Sequence, residues 1–384
     1  MRTVSIGSAH IRPHVYRLVR NRVHRSYNQS NSLVSSRPQR MRRKAEKENS
    51  MTQALTPIDI VDIKGFKFGN YTDTQAGTGC TVIISKEGAT GGVDVRGGAP
   101  ASRETDLLRP ENTVDKVHAV CLSGGSAFGL EAASGVAREL ERRGIGLPVG
   151  PTQVPIVCSS CIFDLAFGDP TVRPDIEAGV AAVRDALDGG PAPIPNGNFG
   201  AGTGATVGKL AGPEYCMKGG LGTAAFALGP VQVGAVVSVN ACGNVADPTS
   251  GEWIAGMRAD KDSTAVVDMV DAAFAQAGAM EMPLDRTNTT ISAIVTNATL
   301  TKAQATKLSQ MAADAYAHAI RPTHTTNDGD TIYALASGTL DGQASATVPL
   351  DLLGMMAVRA LETAIVNGCR AATTLHGIPG AASL

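Results

Sequence analysis

Along the chain, short β-branched apolar runs closed by glycine alternate with longer stretches at helical spacing. "CTVIISKEG" from Cys80, "GGVDVRGGAP" from Gly91 and "VHAVCLSGG" from Val117 each predict a strand running into a turn. Ser126 to Arg143 has helical spacing and stops at Gly144, and Pro174 to Leu187 predicts a second helix with proline at its start. After the Pro/Gly-rich loop "DGGPAPIPNGNFGAGTG", "VQVGAVVSVNACGNV" from Val231 reads as a strand and residues 262–279 as a helix. "TISAIVTNAT" from Thr290 is a strand, and Thr301 and Gln304 of "TKAQ" form a capping box that opens a helix reaching about Ile320. "TIYALASG" from Thr331 is a strand, and "DLLGMMAVRALETAIVNG" from Asp351 is a final helix closed by Gly368. Strands and helices intermix without a strand-helix-strand rhythm, and no linker divides residues 51–384. One α+β domain is expected there.

Composition narrows the partners. The 384 residues are 43% apolar and 18% charged, enough for a large core. Only 4% are aromatic, with a single tryptophan, Trp253, so nucleic acid is not an expected partner. No uninterrupted apolar run reaches the length of a bilayer span, so no membrane association is expected. Residues 1–50 hold twelve Lys/Arg against two acids, leaving 22 basic and 33 acidic residues and a formal charge of −11 beyond them. That segment reads as a disordered basic tail, a transit-like leader, or a start assigned upstream of Met51. Seven cysteines in mostly apolar surroundings suit reduced core thiols in the cytoplasm. Cys158 and Cys161 have a redox or metal spacing, "CSSC", but no second pair at ligand spacing accompanies them.

The candidate chemistry is not that of a common triad. "GAGTGATVGK", residues 200–209, fails the Walker pattern because position 203 is Thr and position 210 is Leu. It remains a flexible backbone ending in Lys209, which is either a functional cation or a surface lysine with a buried stem. His118, His318, His324 and His376 lie near neither a Gly-x-Ser-x-Gly elbow nor one another at ligand spacing. An N-terminal nucleophile supplies its own base, because cutting before Thr frees an α-amine with a pKa of about 8. "LDRTNTTISAIVTN", residues 284–297, would allow this: Asn288-Thr289 lies in a polar turn at the lip of a strand. An ordinary Asn/Thr turn is the competing reading, as is an ordinary turn for "DGD" at Asp328 to Asp330.

From Gly69 onward the chain resembles the self-cleaving family that includes L-aminopeptidase/D-amidase, the β-aminopeptidases and the nylon-oligomer endohydrolases. The resemblance rests on "TGCTVI", "VDVRGGAP", "HAVCLSGGSAFGLEAASGV", "IFDL", "GAGTGATVGK", "NTTISAIVTNA" and "RPTHTTNDGDTIYAL". It implies a four-layer α/β/β/α sandwich, a single domain formed by an α chain of residues 51–288 and a β chain of 289–384 after cleavage between Asn288 and Thr289. It also implies Thr289 as nucleophile, Lys209 and Asn240 as groups on the reacting carbonyl, and Asp328 and Asp330 as orienting acids. Substrates would be small peptides, amides or oligoamides such as 6-aminohexanoate oligomers. No metal or organic cofactor is needed, and processed protomers assemble as homo-oligomers, usually tetramers. Aminopeptidase members mostly use Ser where this chain has Thr, whereas the nylon-oligomer branch uses Thr. Acyl transfer of the ornithine acetyltransferase type, and an unprocessed paralogue that binds a small amide, are the alternatives.

Overall fold

A computed structural model describes residues 55–190, 192–276, 288–340 and 348–384. The basic segment 1–50 and the expected helical residues 277–279 lie outside the described residues. Residues 54–384 form one compact unit.

Ten strands hydrogen-bond into one sheet: β1 (Thr56–Ile58), β2 (Lys67–Asp73), β3 (Thr78–Val95), β4 (Ser102–Arg103), β5 (Val117–Ser123), β6 (Val157–Cys161), β7 (Gly220–Leu228), β8 (Val231–Asn240), β9 (Thr289–Thr296) and β10 (Thr331–Ala336). Their order is β1-β7-β8-β9-β10-β3-β5-β6-β4, with β2 also on β3. The two runs read as separate strands from Cys80 and Gly91 are thus one 18-residue strand. Its first half pairs with β2 and β5 and its second half with β10, across a register irregularity between Ile84 and Ala89. That strand carries the sheet from one half to the other.

Side-chain alternation then sorts the core into three slabs. Ile83, Val120 and Leu122 of one half meet Leu221, Val236, Ile291, Ala293, Val295 and Leu335 of the other in a central layer. Val82, Ile84 and Cys121 point outward against α1 (Glu131–Arg142) and α2 (Ile176–Asp188). On the far side Val237, Ile294 and Ala334 pack under helices that follow α3 (Met269–Gln276), namely α4 (Lys302–Ala312) and α6 (Leu350–Arg370). The result is the expected four-layer α/β/β/α arrangement.

Several boundaries moved. The stretch from Ser126 begins as a 3-10 turn over Ser126–Leu130 before α1. The helix expected from 262 starts only at Met269. The one opened by the Thr301 capping box, which is present, breaks at Ala313 and resumes as α5 (Asp314–Ala319). Strands β1, β2, β4, β6 and β7 had not been expected. Cys158 and Cys161 lie within β6 as buried thiols, and all seven cysteines are free. Although α6 is long and apolar enough to cross a membrane by composition, it is mostly buried inside the protein.

Candidate active site

The parallel pairing of β9 with β10 sets the geometry. Ile291 is in register with Thr331, and one bridge before the strands proper joins Asn288 to Asp328. On its other side Thr289 is in register with Asn240, the last residue of β8. Five of the six residues singled out in the sequence therefore meet at one end of three adjacent strands. Asn288, Thr289, Asn240, Asp328 and Asp330 are all buried.

Thr289 Oγ1 donates to the carbonyl oxygen of Asn288, the peptide group it would have to attack. The N–H of Gly329 donates to the same oxygen at 3.1 Å. One residue further, Asp330 Oδ1 accepts from the Thr290 N–H at 2.7 Å, while its Oδ2 accepts from the His324 N–H at 3.1 Å and Thr323 Oγ1 at 3.2 Å. Asp330 therefore holds the backbone immediately after the candidate nucleophile. Asp328 accepts from the Thr325 N–H at 2.6 Å. Burial pushes its carboxyl up to about 6, the charge of Asp330 adds to this, and Lys209 opposes it.

Lys209 arrives through a turn that only glycine can make. Gly208 has φ +76°, and a Cβ there would stand 2.0 Å from the Met257 nitrogen. The Lys209 ammonium donates to the Asn240 side-chain oxygen at 2.8 Å and its backbone carbonyl at 3.1 Å, so it is not an incidental surface charge. Burial pushes its pKa down to about 8, against the pull of Cys216, Cys242, Asp328 and Asp164. Asn240 Oδ1 also accepts from the Thr206 N–H at 3.0 Å, and its Nδ2 donates to the Phe163 carbonyl at 3.0 Å. Asn240 thus fixes Lys209 and the Gly-rich loop to the end of β8.

A cleft of about 790 Å³ opens beside these groups, within the range of small-molecule sites. Asn288, Lys209, Thr206 and Cys242 line its reactive end, and Phe163, Phe167, Tyr215, Met257, Val267 and Ile378 supply apolar wall. "IFDL" thereby contributes both Phe163 and Asp164 to the cleft.

Three supporting residues escaped the sequence reading. His324 Nδ1 lies 2.9 Å from Asp330 Oδ2, with its ring stacked on Tyr316 at 5.5 Å. Tyr316 in turn donates to the Thr290 carbonyl at 3.1 Å, steadying β9. Lys218, fully buried, donates to the Thr203 and Ala205 carbonyls at 2.8 and 2.7 Å and lies 3.9 Å over the Phe167 ring. His324 sits inside "RPTHTTNDGDT", four and six residues before the two acids, and that nearness was the available signal. Lys218 had none. Among the described residues no group of three His, Cys, Asp or Glu is placed to hold a metal.

Residues 59–383 match the peptidase family S58. The chain belongs to that family. It is 40% identical over 344 residues to an uncharacterized aminopeptidase of Mycobacterium leprae (strain TN), covering 83% of this chain and 92% of the relative. A 6-aminohexanoate-oligomer endohydrolase of Kocuria sp. (strain KY2) is 32% identical over 283 residues, covering 73% and 75%. Among solved structures, the L-aminopeptidase D-Ala-esterase/amidase of Ochrobactrum anthropi, described as a variant of the Ntn hydrolase fold, superposes with TM-score 0.61 at 19% identity, covering 86% of this chain and 90% of that one. A Burkholderia sp. β-aminopeptidase does so at 0.58 and 20%, covering 87% and 94%. This S58 chain is a hydrolase of amide or peptide bonds.

Proposed function

We propose that the chain cuts itself between Asn288 and Thr289, and that the freed Thr289 is the nucleophile that hydrolyses small peptides, amides or oligoamides. The contact of Thr289 Oγ1 with the Asn288 carbonyl, at the head of a buried strand, carries this reading. In the first stage Oγ1 adds to the Asn288 carbonyl carbon, the C–N bond to Thr289 breaks, and its nitrogen keeps the electron pair and takes the hydroxyl proton. Water then opens the ester, leaving a carboxylate on Asn288 and a free amine on Thr289.

In turnover the neutral α-amine of Thr289 accepts the Oγ1 proton as Oγ1 attacks the substrate carbonyl, and returns it to the departing amine. Lys209, held against Asn240 on the cleft wall, faces the developing oxyanion, and Asp330 keeps the Thr289–Thr290 backbone in place. The apolar walls of the cleft suit an acyl group with a hydrocarbon part. The 32% identity to an oligoamide endohydrolase and the 40% identity to an aminopeptidase support both substrate types, which aminoacyl-p-nitroanilides and 6-aminohexanoate oligomers assayed side by side distinguish. Homo-oligomeric assembly of processed protomers belongs to the same proposal and is checked by light scattering.

The deciding experiment is a denaturing gel with N-terminal sequencing. Cleavage releases residues 289–384, so bands are expected near one quarter and three quarters of the full 39.5 kDa. Thr289→Ala should stay uncut and inactive. An active wild-type enzyme that remains one chain, or a small fragment beginning elsewhere, overturns the proposal.

A further inference from the structure

Resting on that reading of self-cleavage, we propose that the backbone N–H of Gly329 is a catalytic group of the processing step, the donor that receives the oxyanion formed on the Asn288 carbonyl. Groups on the substrate's oxyanion, Lys209 foremost, reach the cleft from β8 and the Gly-rich loop. Gly329 reaches the scissile peptide from the opposite side, through the turn before β10.

Three observations support the assignment. The first is the bond itself, from Gly329 N to Asn288 O at 3.1 Å, already aimed at the atom that gains charge. When Thr289 Oγ1 adds to the carbonyl carbon, the π electrons move to that oxygen, and a donor in place needs no reorganisation. When the oxyanion collapses, the Asn288–Thr289 bond breaks and the amine leaves with the hydroxyl proton.

The second is that the Gly329 peptide is locked. Thr331 Oγ1 donates to its carbonyl at 3.0 Å. The flanking Asp328 carbonyl accepts from the Ala99 N–H at 2.8 Å, and the Asp330 carbonyl from the Arg96 and Gly97 N–H groups at 3.0 and 3.2 Å. Such clamping is what an oxyanion donor requires.

The third is steric. A Cβ at position 329 would stand 2.8 Å from Thr289 Oγ1 and 2.9 Å from the Ala99 carbonyl oxygen, closer than such contacts occur. Glycine is therefore what lets this N–H approach the nucleophile and the scissile carbonyl together.

The test follows the full chain from synthesis by denaturing gel. Gly329→Ala should slow cleavage by about 100-fold, the scale for losing one oxyanion donor. Because that side chain could also disturb folding, a second variant replaces the Gly329 amide by an ester, which deletes the N–H and adds no atom. It should fold with only a small drop in melting temperature, the loss of one backbone hydrogen bond, and cut about as slowly. Cleavage of the ester variant at the wild-type rate overturns the role of Gly329 while leaving self-cleavage standing; a wild-type chain that never cuts overturns the underlying reading instead.

Discussion

Glu139 of α1 and Asp328 before β10 are both carboxylates that the fold hides from solvent, at 2% and 1% exposure, yet their surroundings push them in opposite directions. Glu139 accepts from Arg142 at 2.7 and 2.8 Å and from Arg143 at 3.0 Å. The Arg142 hydrogen bonds, with Arg143 adding to them, hold its carboxyl down at about 2. Asp328 instead lies beside Asp330, and burial leads the rise of its carboxyl to about 6. A buried carboxylate beside a like charge is a candidate for chemistry, whereas a fully paired one braces two helices. Glu139 does the bracing, since Arg143 also reaches Asp188 at the end of α2.

The largest effect that would sharpen this contrast comes from the cation on the reactive side. If the Lys209 ammonium serves the proposed reaction, Lys209→Ala should lower kcat by roughly 100-fold, a loss far larger than any change in melting temperature explains. Steady-state kinetics on the cut enzyme, with melting followed by circular dichroism, measure both. Near-wild-type turnover would return Lys209 to a structural role.

A smaller effect tests the two carboxylates against each other. Glu139 has a folded pKa below its ordinary 4.5, so its stabilisation is present above that pH and is lost as pH falls toward about 2. Asp328 has a folded value above its ordinary 3.8, so its charged form costs stability, increasingly as pH rises through about 6. At pH 7, Glu139→Gln should destabilise the protein by about 1 kcal/mol, modest because the Arg142 side chain is 62% exposed, and leave turnover unchanged. Asp328→Asn should raise or preserve stability while lowering turnover by about 10-fold. Urea unfolding beside an activity assay checks the pair. Parallel losses of stability in both variants would break the comparison.

How much of this could be read from the chain depended on side-chain pattern. β9 was legible because "TISAIVTN" is β-branched and apolar, and Thr301 announced its helix through a capping box that formed. β7, "GLGTAAFAL", was not, because a strand close under α6 is built from small residues that carry no alternation. A Cβ on Gly222 would stand 1.9 Å from the Ala364 carbonyl oxygen. The four-layer stacking came from family resemblance rather than periodicity, which cannot reveal that β3 pairs with β2 and β5 along its first half and with β10 along its second. Thr289, Lys209, Asn240, Asp328 and Asp330 were likewise marked by resemblance, and the structure places them together. Gly329 was invisible as a donor, since a backbone N–H leaves no mark on the sequence.

The smallest expected effect is in the shape of the pH profile, and it returns to the two buried lysines. Lys218 is sealed by two carbonyls and the Phe167 ring, with burial pushing it down to about 7. Lys209 lines the cleft and is pushed down to about 8, faced by Cys216, Cys242, Asp328 and Asp164. Lowered pKa values mean that each ammonium is charged below its value and neutral above it. If Lys209 serves the oxyanion as a cation, kcat/KM must fall as pH rises through about 8. The α-amine that the proposed cleavage frees on Thr289 would work in the other direction, because it acts as base only when neutral, and an ordinary α-amine titrates near 8. The wild-type profile should therefore be a narrow bell. In Lys209→Ala the falling limb should vanish and leave a profile that only rises to a plateau, at a lower rate throughout. A falling limb that survives in Lys209→Ala would assign it to another group, with Lys218 the first to examine.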